Sequence, residues 1–419
     1  MSPVVSFNTN KSTHVDIFPD GEPITQKIGG ASNLFKVYYS SQTNKMRTAP
    51  YIIVLILSKI LLATASFLSF TQKGNNKASI YRQKTQSQHL KQIPLAMTTN
   101  NAPLQMSPKV EQQISNIEAL IGTDAGGRGM KALIVPYDLH RAAKVFCSLP
   151  PKSSVLVLSG FPCCVDQSPP TETDGPPGAV SLCRTALGLG HEVILVTDEC
   201  NEAVFRAAAE CLPDIKFEIF PDEKKMTKAD EERMKYLVEN KCDLIISCER
   251  AGPAKDGICY TMRGIDMNAK GLIAPIHKIV EMSREICPNV KYIAIGDGGN
   301  EMGMGKVIEA IRSSDIIQNG DKIGAVTVSD YLIAASVSNW GGYALSGACA
   351  AIMNGEDESD EKWLSKLVPT EADEVQLLDR CVKLGCRDGV SGLVEATVDG
   401  MPLETSMECL RNIRSAIEK

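Results

Sequence analysis

The sequence predicts an α/β protein built on a doubly wound, mainly parallel sheet with helices on both faces. Over residues 106–419, short apolar runs rich in β-branched residues alternate with helix-length amphipathic segments. The runs are apolar throughout instead of alternating with polar residues, which is typical of strands buried on both faces. Strands of this kind separated by helices indicate a sheet covered by two helical layers, in a Rossmann-like three-layer arrangement.

Each predicted element follows from one of these two patterns. The apolar runs predict six strands, at residues 154–159, 192–197, 216–220, 243–248, 292–296 and 331–336. The amphipathic segments predict helices near 110–121, 137–147, 177–189, 201–211, 224–239, 275–286, 302–313, 340–353, 370–384 and 404–418. Right-handed crossovers place the loop after each strand along one edge of the sheet, where folds of this type bind ligands.

The front of the chain differs from the rest in charge. Residues 1–110 hold twelve Lys or Arg and three acids, a formal charge of +9, whereas the remainder carries −15 and the whole chain −6. We therefore expect residues 1–105 to be separate from the α/β domain at 106–419. The front part could be a mitochondrial leader that delivers the domain to the matrix, or a signal peptide or membrane anchor. It could also be a disordered or mispredicted extension with the true start near Met97 or Met106, in which case we expect a cytoplasmic protein.

An apolar segment, residues 51–70, lies within this front part and is long enough to cross a bilayer as a helix. Any membrane contact is expected only there, and only if the segment is retained. The acidic domain argues against nucleic acid, which requires a basic face, and favours small molecules or proteins as partners. All 14 cysteines lie at or after Cys147 without zinc-type spacing, so they indicate core thiols in a reducing compartment, or alternatively disulfides or a redox role.

A glycine-rich segment follows the fifth predicted strand, residues 296–305, GDGGNEMGMG. Its amides could hold a carboxylate or phosphate, its acids could bind a divalent cation, or it could be a tight turn capped by an acid. It fits neither a dinucleotide-binding turn nor a phosphate loop. The candidate site residues here are Asp297, Gly298, Gly299, Asn300 and Glu301.

The segment ETDGPPGA after the first predicted strand contributes Glu172, Asp174 and Gly175, with Asp174 also a candidate helix cap. A helix starting there would offer amides to an anion, although capping alone would select the same residues.

Charged and amide side chains also follow other strands. Glu249, Arg250 and Arg263 are candidate substrate-binding residues because arginine pairs with carboxylates in a bidentate manner. The alternative is a structural ion pair between Glu249 and Arg263. Asn339 is a candidate ligand contact or helix cap, and Asp388 lies in a turn near the predicted edge.

These motifs together resemble the C-terminal domain of the D-glutamate cyclase family over about 111–418. The resemblance rests on motifs in this order: Arg128-Gly129, Gly160–Pro162, Glu172–Ala179, Val196–Asp198, Cys248–Arg250 with Gly252, Asp256-Gly257, Met262–Gly264, Gly296–Glu301 with Gly303–Gly305, Ser338–Trp340, Asp388-Gly389 and Val398–Gly400. It implies a hydro-lyase that converts D-glutamate to 5-oxo-D-proline and water, and a mitochondrial location as in vertebrate members. Those members carry an additional N-terminal domain resembling hydro-lyases, which residues 1–110 do not match.

For such a reaction we expect Asp297 and Glu301 to act as base and acid, which requires one raised pKa. Arg250 and Arg263 would orient the carboxylates of a small acidic substrate such as D-glutamate, and the amides of 296–301 would polarise its γ-carboxyl group. Two alternatives stay open. One is a non-catalytic binding domain for an acidic metabolite or nucleotide, and the other is a nucleotide- or metal-dependent enzyme. The sequence permits a divalent cation without requiring a cofactor.

Overall fold

The computed structural model describes residues 106–356 and 362–418, together with the backbone of two short strands in the front part. The chain divides into two units, Met1–Thr98 and Thr99–Lys419. In the first, β1 (Ile24–Gln26) and β2 (Phe35–Val37) pair antiparallel, with Ile24 opposite Val37. The predictions for residues 51–70 lie outside the described residues. Within the described part of the chain, every helix is too short or too polar to cross a membrane.

The second unit is built on a six-stranded, all-parallel sheet in the order β5-β4-β3-β6-β7-β8. This confirms the predicted fold class, and each predicted strand is found within two residues of its expected bounds. The order reverses between β3 and β6, so the loops after these two strands flank the crevice where doubly wound sheets bind ligands. The strands are β3 (Ser154–Gly160), β4 (Glu192–Asp198), β5 (Lys216–Phe220), β6 (Leu244–Arg250), β7 (Lys291–Gly296) and β8 (Tyr331–Ala334).

Helices cover both faces of the sheet because successive strand residues point to opposite sides. On β3, Val155 and Val157 pack into one apolar core, and Leu156 and Leu158 pack into the other. Residues of α1–α4 and α9–α12 line the first core, and residues of α5–α7 line the second. The helices are α1 (Pro108–Ile121), α2 (Asp138–Cys147), α3 (Pro176–Gly188), α4 (Glu202–Ala208), α5 (Lys228–Asn240), α6 (His277–Ile286), α7 (Ile308–Ser313), α8 (Gly320–Ile323), α9 (Ser338–Glu356), α10 (Trp363–Leu367), α11 (Glu371–Lys383) and α12 (Leu403–Glu418).

Two helices that start at the ligand edge, α3 and α9, pack with their backbones in close contact. A Cβ at Gly342 would lie 2.7 Å from the Cα of Gly178, so only glycine permits this approach. The contact fixes the relative position of the two helix starts, and it is these starts that carry the candidate residues Asp174 and Asn339.

Burial of a carboxyl group between α9 and α11 gives the fold a pH dependence. Glu374 is 2% exposed and faces the phenol of Tyr343, and burial raises its pKa from 4.5 to about 7, with the phenol opposing this rise and Asp373 adding to it. Its folded-state pKa is higher than its unfolded one, so its contribution to stability is full below about pH 4.5 and is lost as the pH rises through 7. The unfolding free energy of Glu374→Gln minus that of the unchanged protein should therefore increase by about 3 kcal/mol as the pH rises from about 4.5 to about 8.

Urea unfolding of both proteins across this pH range measures the effect. Asp379→Asn, at an exposed ion pair with Lys383 on the same helix, is the control and should shift stability by less than about 0.5 kcal/mol. A stability difference between Glu374→Gln and the unchanged protein that does not vary with pH would contradict a buried, protonated Glu374.

Candidate functional site

Five acidic side chains meet at the carboxyl edge of the sheet, next to the crevice between β3 and β6. We call them the carboxyl cluster. Three of them, from the start of α3, the end of β6 and the end of β7, place carboxylate oxygens within 4.8 Å of one another. The cluster consists of Glu172, Asp174, Glu249, Asp297 and Asp399, whose side chains are all buried.

One arginine connects two members of the carboxyl cluster. The Nη2 atom of Arg128 lies 2.5 Å from Asp297 and 2.8 Å from Asp399, and it also donates to the carbonyl oxygen of Ser336 at 3.1 Å. The carboxylate of Asp124 accepts hydrogen bonds from the backbone amides of Arg128 and Gly129, which holds the arginine's turn in place. The Arg128 side chain is 23% exposed, so it lies between the carboxyl cluster and solvent.

The acids of the cluster lose their protons at higher pH than exposed carboxyl groups do. Burial raises the pKa of Asp297 to about 8, with Arg128 opposing this rise and Glu301 and Asp174 adding to it. Burial is also the main cause that raises the pKa values of the four other members, Glu172, Asp174, Glu249 and Asp399. The interaction between the carboxyl groups of Asp297 and Asp399 lowers the pKa of Asp297 and raises that of Asp399, so Asp399 holds its proton more firmly. The pair therefore offers one proton donor and one proton acceptor.

Backbone strain marks the same site. Glu249 and Asp399 have φ angles of +43° and +53°, in the left-handed region that residues with a Cβ rarely adopt. Strain of this kind costs about 1–3 kcal/mol per residue and is found most often at functional sites. Both residues belong to the carboxyl cluster, which supports a functional role for it.

Asp174 and Asn339 cap each other's helices. The Asn339 side-chain oxygen accepts from the amides of Gly175 and Gly178 at the start of α3, at 2.9 and 2.8 Å. The Asp174 carboxylate accepts from the amides of Ser338 and Asn339 at the start of α9, at 2.9 and 2.8 Å. Asn339 therefore acts as a cap in this arrangement, and the helix-start amides that were expected to bind an anion are already bonded to it.

The glycine-rich segment folds around its own acid. Glu301 accepts from the amides of Gly298 and Gly299 at 2.7 Å and from that of Asp297 at 3.3 Å. Each amide has a single hydrogen to donate, so these groups are not free to polarise a substrate carboxyl group as the sequence suggested. Asn300 holds the neighbouring loop by donating to the carbonyl oxygen of Tyr260 at 2.8 Å. The structure thus gives Glu301 and Asn300 loop-holding roles.

This role of Glu301 leads to a prediction. Glu301→Gln replaces one accepting oxygen with an NH₂ group that faces amide donors, so the variant should lose about 1–3 kcal/mol of unfolding free energy. Urea unfolding measures this loss. The control is Glu309→Gln on α7, whose side chain is 86% exposed. If Glu301→Gln abolished activity with no loss of stability, Glu301 would be an acid or base and not a loop anchor.

The two candidate arginines lie elsewhere than expected. Arg250 is 1% exposed, and its guanidinium is bonded to Asp198 and to the carbonyl oxygens of Gly160 and Ala274, so it is part of the core beneath the site. Arg263 is exposed and donates to the carbonyl oxygen of Val390 at 3.3 Å. The expected partner of Arg263, Glu249, instead accepts from the hydroxyl of Ser338 at 2.6 Å. The structure brings Glu172, Asp174, Glu249 and Asp297 together and leaves Arg250 and Arg263 outside.

Three members of the cluster could hold a metal ion. The oxygens of Asp174, Glu249 and Asp297 lie within 4.8 Å of one another, and an all-oxygen donor set suits Mg²⁺, Ca²⁺ or Mn²⁺. The sequence suggested Asp297 with Glu301, but both Glu301 oxygens accept backbone hydrogen bonds.

The segment 387–400 covers the cluster from one side. A Cβ at Gly389 would lie 1.8 Å from Oε2 of Glu172, so any larger residue at this position would displace the Glu172 carboxyl group. Asp388 folds the segment by accepting from the amides of Val390, Ser391 and Gly400. An open groove of about 740 Å³ between α1 and α12, lined by residues such as Gln112 and Asn412, contains no member of the cluster.

Sequence reasoning did not select Arg128 or Asp399 as site residues. Both lie in motifs that carried the family resemblance, Arg128-Gly129 and Val398–Gly400. That signal was present, but positions so far apart in the chain cannot be paired from one sequence. Asp399 also reads as an ordinary turn residue.

The fold and site define a class: a three-layer, Rossmann-like α/β protein with a buried carboxyl cluster at the point where the strand order reverses. The chain belongs to the family described as D-glutamate cyclase-like, C-terminal, whose model matches residues 117–414. It is 34% identical over 341 residues to a human protein, D-glutamate cyclase, mitochondrial. That alignment covers 76% of this chain and 53% of the human protein, so the chain spans about half the length of this relative.

Proposed function

We propose that this chain binds D-glutamate at the carboxyl cluster and cyclises it to 5-oxo-D-proline with release of water. The observation that carries the proposal is the buried pair of Asp297 and Asp399, bridged by Arg128. Membership of the family and the likeness to human D-glutamate cyclase support the choice of substrate.

The proton count of the reaction fits such a pair. The substrate nitrogen enters as an ammonium with three hydrogens and ends as a lactam nitrogen with one. The two protons it loses must reach the departing γ-carboxylate oxygen, which leaves as water when the new carbon–nitrogen bond has formed. One carboxylate can accept a proton from the nitrogen while its protonated neighbour donates to the oxygen. We assign these roles to Asp297 and Asp399, respectively, because the interaction between them lowers the pKa of Asp297 and raises that of Asp399.

The charges around the cluster match the substrate's two ends. The ammonium of D-glutamate is drawn to the acids of the cluster, Asp174 and Glu249 among them, and this pulls their ionisation toward the carboxylate form. Arg128 is placed to bind a substrate carboxylate because its side chain is partly exposed beside Asp297. Holding the amine against the γ-carboxyl group can contribute about 7–11 kcal/mol to the lowering of the barrier.

The proposal extends to location. The human relative is named as mitochondrial, and a basic front part is typical of a matrix leader. We therefore propose a mitochondrial location for this chain. Fluorescence microscopy of the tagged full chain beside a variant lacking residues 1–105 tests this location. An identical distribution of the two proteins would show that residues 1–105 do not direct the chain to mitochondria.

The reaction is tested with the purified full-length chain. It is incubated with D-glutamate, with and without Mg²⁺ or Mn²⁺, and 5-oxoproline is quantified by chiral chromatography. We expect 5-oxo-D-proline above the rate of spontaneous cyclisation, and less product from L-glutamate. A dependence on the cation would favour a metal-assisted version at Asp174, Glu249 and Asp297.

A second measurement separates catalysis from binding. Thermal unfolding with and without D-glutamate reports binding, because a ligand of the native state raises the unfolding temperature. Stabilisation without product would favour the binding-domain alternative. Neither stabilisation nor product, with any of the cations, would refute the proposed function.

A further inference from the structure

Two adjacent thiols lie beside the carboxyl cluster and have no part in the proposed reaction. Cys163 and Cys164 follow β3, and both are partly exposed free thiols. Their sulfur atoms are 3.9 Å apart, so both side chains project to the same side of the chain. Adjacent cysteines without a mutual interaction would be free to point in opposite directions.

The two thiols face different surroundings. Cys163 lies against Glu172 of the carboxyl cluster, since a Cβ at Gly389 would meet both Oε2 of Glu172 at 1.8 Å and Sγ of Cys163 at 3.1 Å. Cys164 lies near the positive charges of Arg387 and Arg263 and the negative charge of Asp388.

The ionisation of the pair is therefore unequal. The hydrogen bond from Cys163 and the two arginines lower the pKa of Cys164, against the effects of burial and of Asp388. The same hydrogen bond, burial and Glu172 raise the pKa of Cys163. Cys164 is thus the more easily ionised thiol of the pair, and Cys163 is the thiol that holds its proton more firmly.

We propose that Cys164 and Cys163 form a modification site for hydroperoxides, in which Cys164 is oxidised first and Cys163 then closes a disulfide between the two. A low-pKa, accessible thiol next to a second thiol is the arrangement of redox-sensing cysteines. The two sulfur atoms, 3.9 Å apart, approach to a bond of about 2.05 Å. Because neighbouring Cα atoms are about 3.8 Å apart, closer than the usual range of about 4.4–6.8 Å in disulfides, the bond closes a strained ring that is easily reduced.

The steps balance with the peroxide as the only oxidant. The Cys164 thiolate attacks one peroxide oxygen, the O–O bond breaks, and the hydroxide that leaves takes a proton to become water. The resulting sulfenic acid is attacked by the Cys163 sulfur, the S–O bond breaks, and a second water leaves. Both sulfurs are oxidised and both peroxide oxygens are reduced. The site is independent of the proposed cyclisation.

The test uses the reduced full-length chain and hydrogen peroxide added in increasing amounts. Trypsin and an Asp-specific protease together release residues 153–165, which contain Cys163 and Cys164 without Cys183. Mass spectrometry should show this fragment losing two hydrogens while the exposed Cys211 is still alkylated by iodoacetamide, and dithiothreitol should restore it. If Cys211 oxidised first, or if the fragment gained oxygen atoms instead of losing hydrogens, the proposal would be overturned.

Single substitutions assign the order of the steps. In Cys163→Ser, oxidation should stop at a sulfenic acid on Cys164, which dimedone traps. In Cys164→Ser, residues 153–165 should be oxidised at least about tenfold more slowly than in the unchanged chain. Cys211→Ser is the matched control and should oxidise like the unchanged chain. Equal rates for Cys163→Ser and Cys164→Ser would contradict the order. The measurement on the unchanged chain decides the proposal if either serine variant fails to fold.

Discussion

Arg250→Met should lower the unfolding free energy by about 3–5 kcal/mol, because it leaves the buried Asp198 carboxylate without its charged partner. Both side chains are 1% exposed, and the guanidinium also binds the carbonyl oxygens of Gly160 and Ala274. Burial raises the pKa of Asp198 and Arg250 opposes that rise, so without the arginine the loss should grow as the pH rises. Urea unfolding across neutral pH measures it.

Arg263→Met is the matched control for this variant. Arg263 was also expected from sequence to bind substrate, but it is exposed, so the substitution should change stability by less than about 0.5 kcal/mol. In the double variant Asp198→Asn/Arg250→Met, the loss should be smaller than the sum of the single losses, as contacting residues require. If Arg250→Met kept its stability but bound D-glutamate more weakly, Arg250 would be a substrate-binding residue, as the sequence suggested, and not a core residue.

Asp297→Asn should reduce D-glutamate turnover by a factor on the order of 10²–10⁴, the usual contribution of a positioned acid or base. Asparagine keeps an oxygen that can accept from Arg128, so the fold and the position of the arginine should persist. The change removes the carboxylate that accepts a proton from the substrate nitrogen. Product formation at saturating D-glutamate, together with circular dichroism of the variant, measures this directly.

The pH profile provides a second check on the same residue. Burial raises the pKa of Asp297 to about 8, so its carboxylate form, which accepts the proton, gains population above this value and turnover should rise as the pH rises through it. Asp321→Asn, at an exposed ion pair with Lys255, should retain both the rate and the profile. If Asp297→Asn turned over normally, the base would have to be sought elsewhere in the cluster.

The fold was predictable because parallel strands buried on both faces leave a direct mark in the sequence. The run at 154–159 is found as β3 because its central residues must be apolar on both sides, and the same holds for the inner strands β4, β6 and β7. Short elements were less accessible: α8 and α10 have four and five residues, too few for a helical period to show.

The candidate site was predictable in location and only partly in its contacts. Residues at strand ends must gather at one edge, so Asp174, Glu249 and Asp297 could be grouped from topology. The direction of a side chain depends on neighbours that are distant in sequence. Arg250 turns into the core because Asp198 is buried beside it, and Glu301 turns back on its own loop. The residues next to Arg250 and Glu301 in the sequence do not predict either of these side-chain directions.

The mutual caps between α3 and α9 limit how this protein can open. If the two helix starts separated, four buried backbone amides would each lose their hydrogen-bond acceptor, at a cost of about 1–3 kcal/mol each. These are the amides of Gly175, Gly178, Ser338 and Asn339. The two capped helix starts therefore stay together and form a rigid support for the carboxyl cluster. Opposite lies the segment 387–400, in which residues 390–395 are exposed whereas Asp399 is bonded to Arg128. A substrate is therefore expected to enter past residues 390–395.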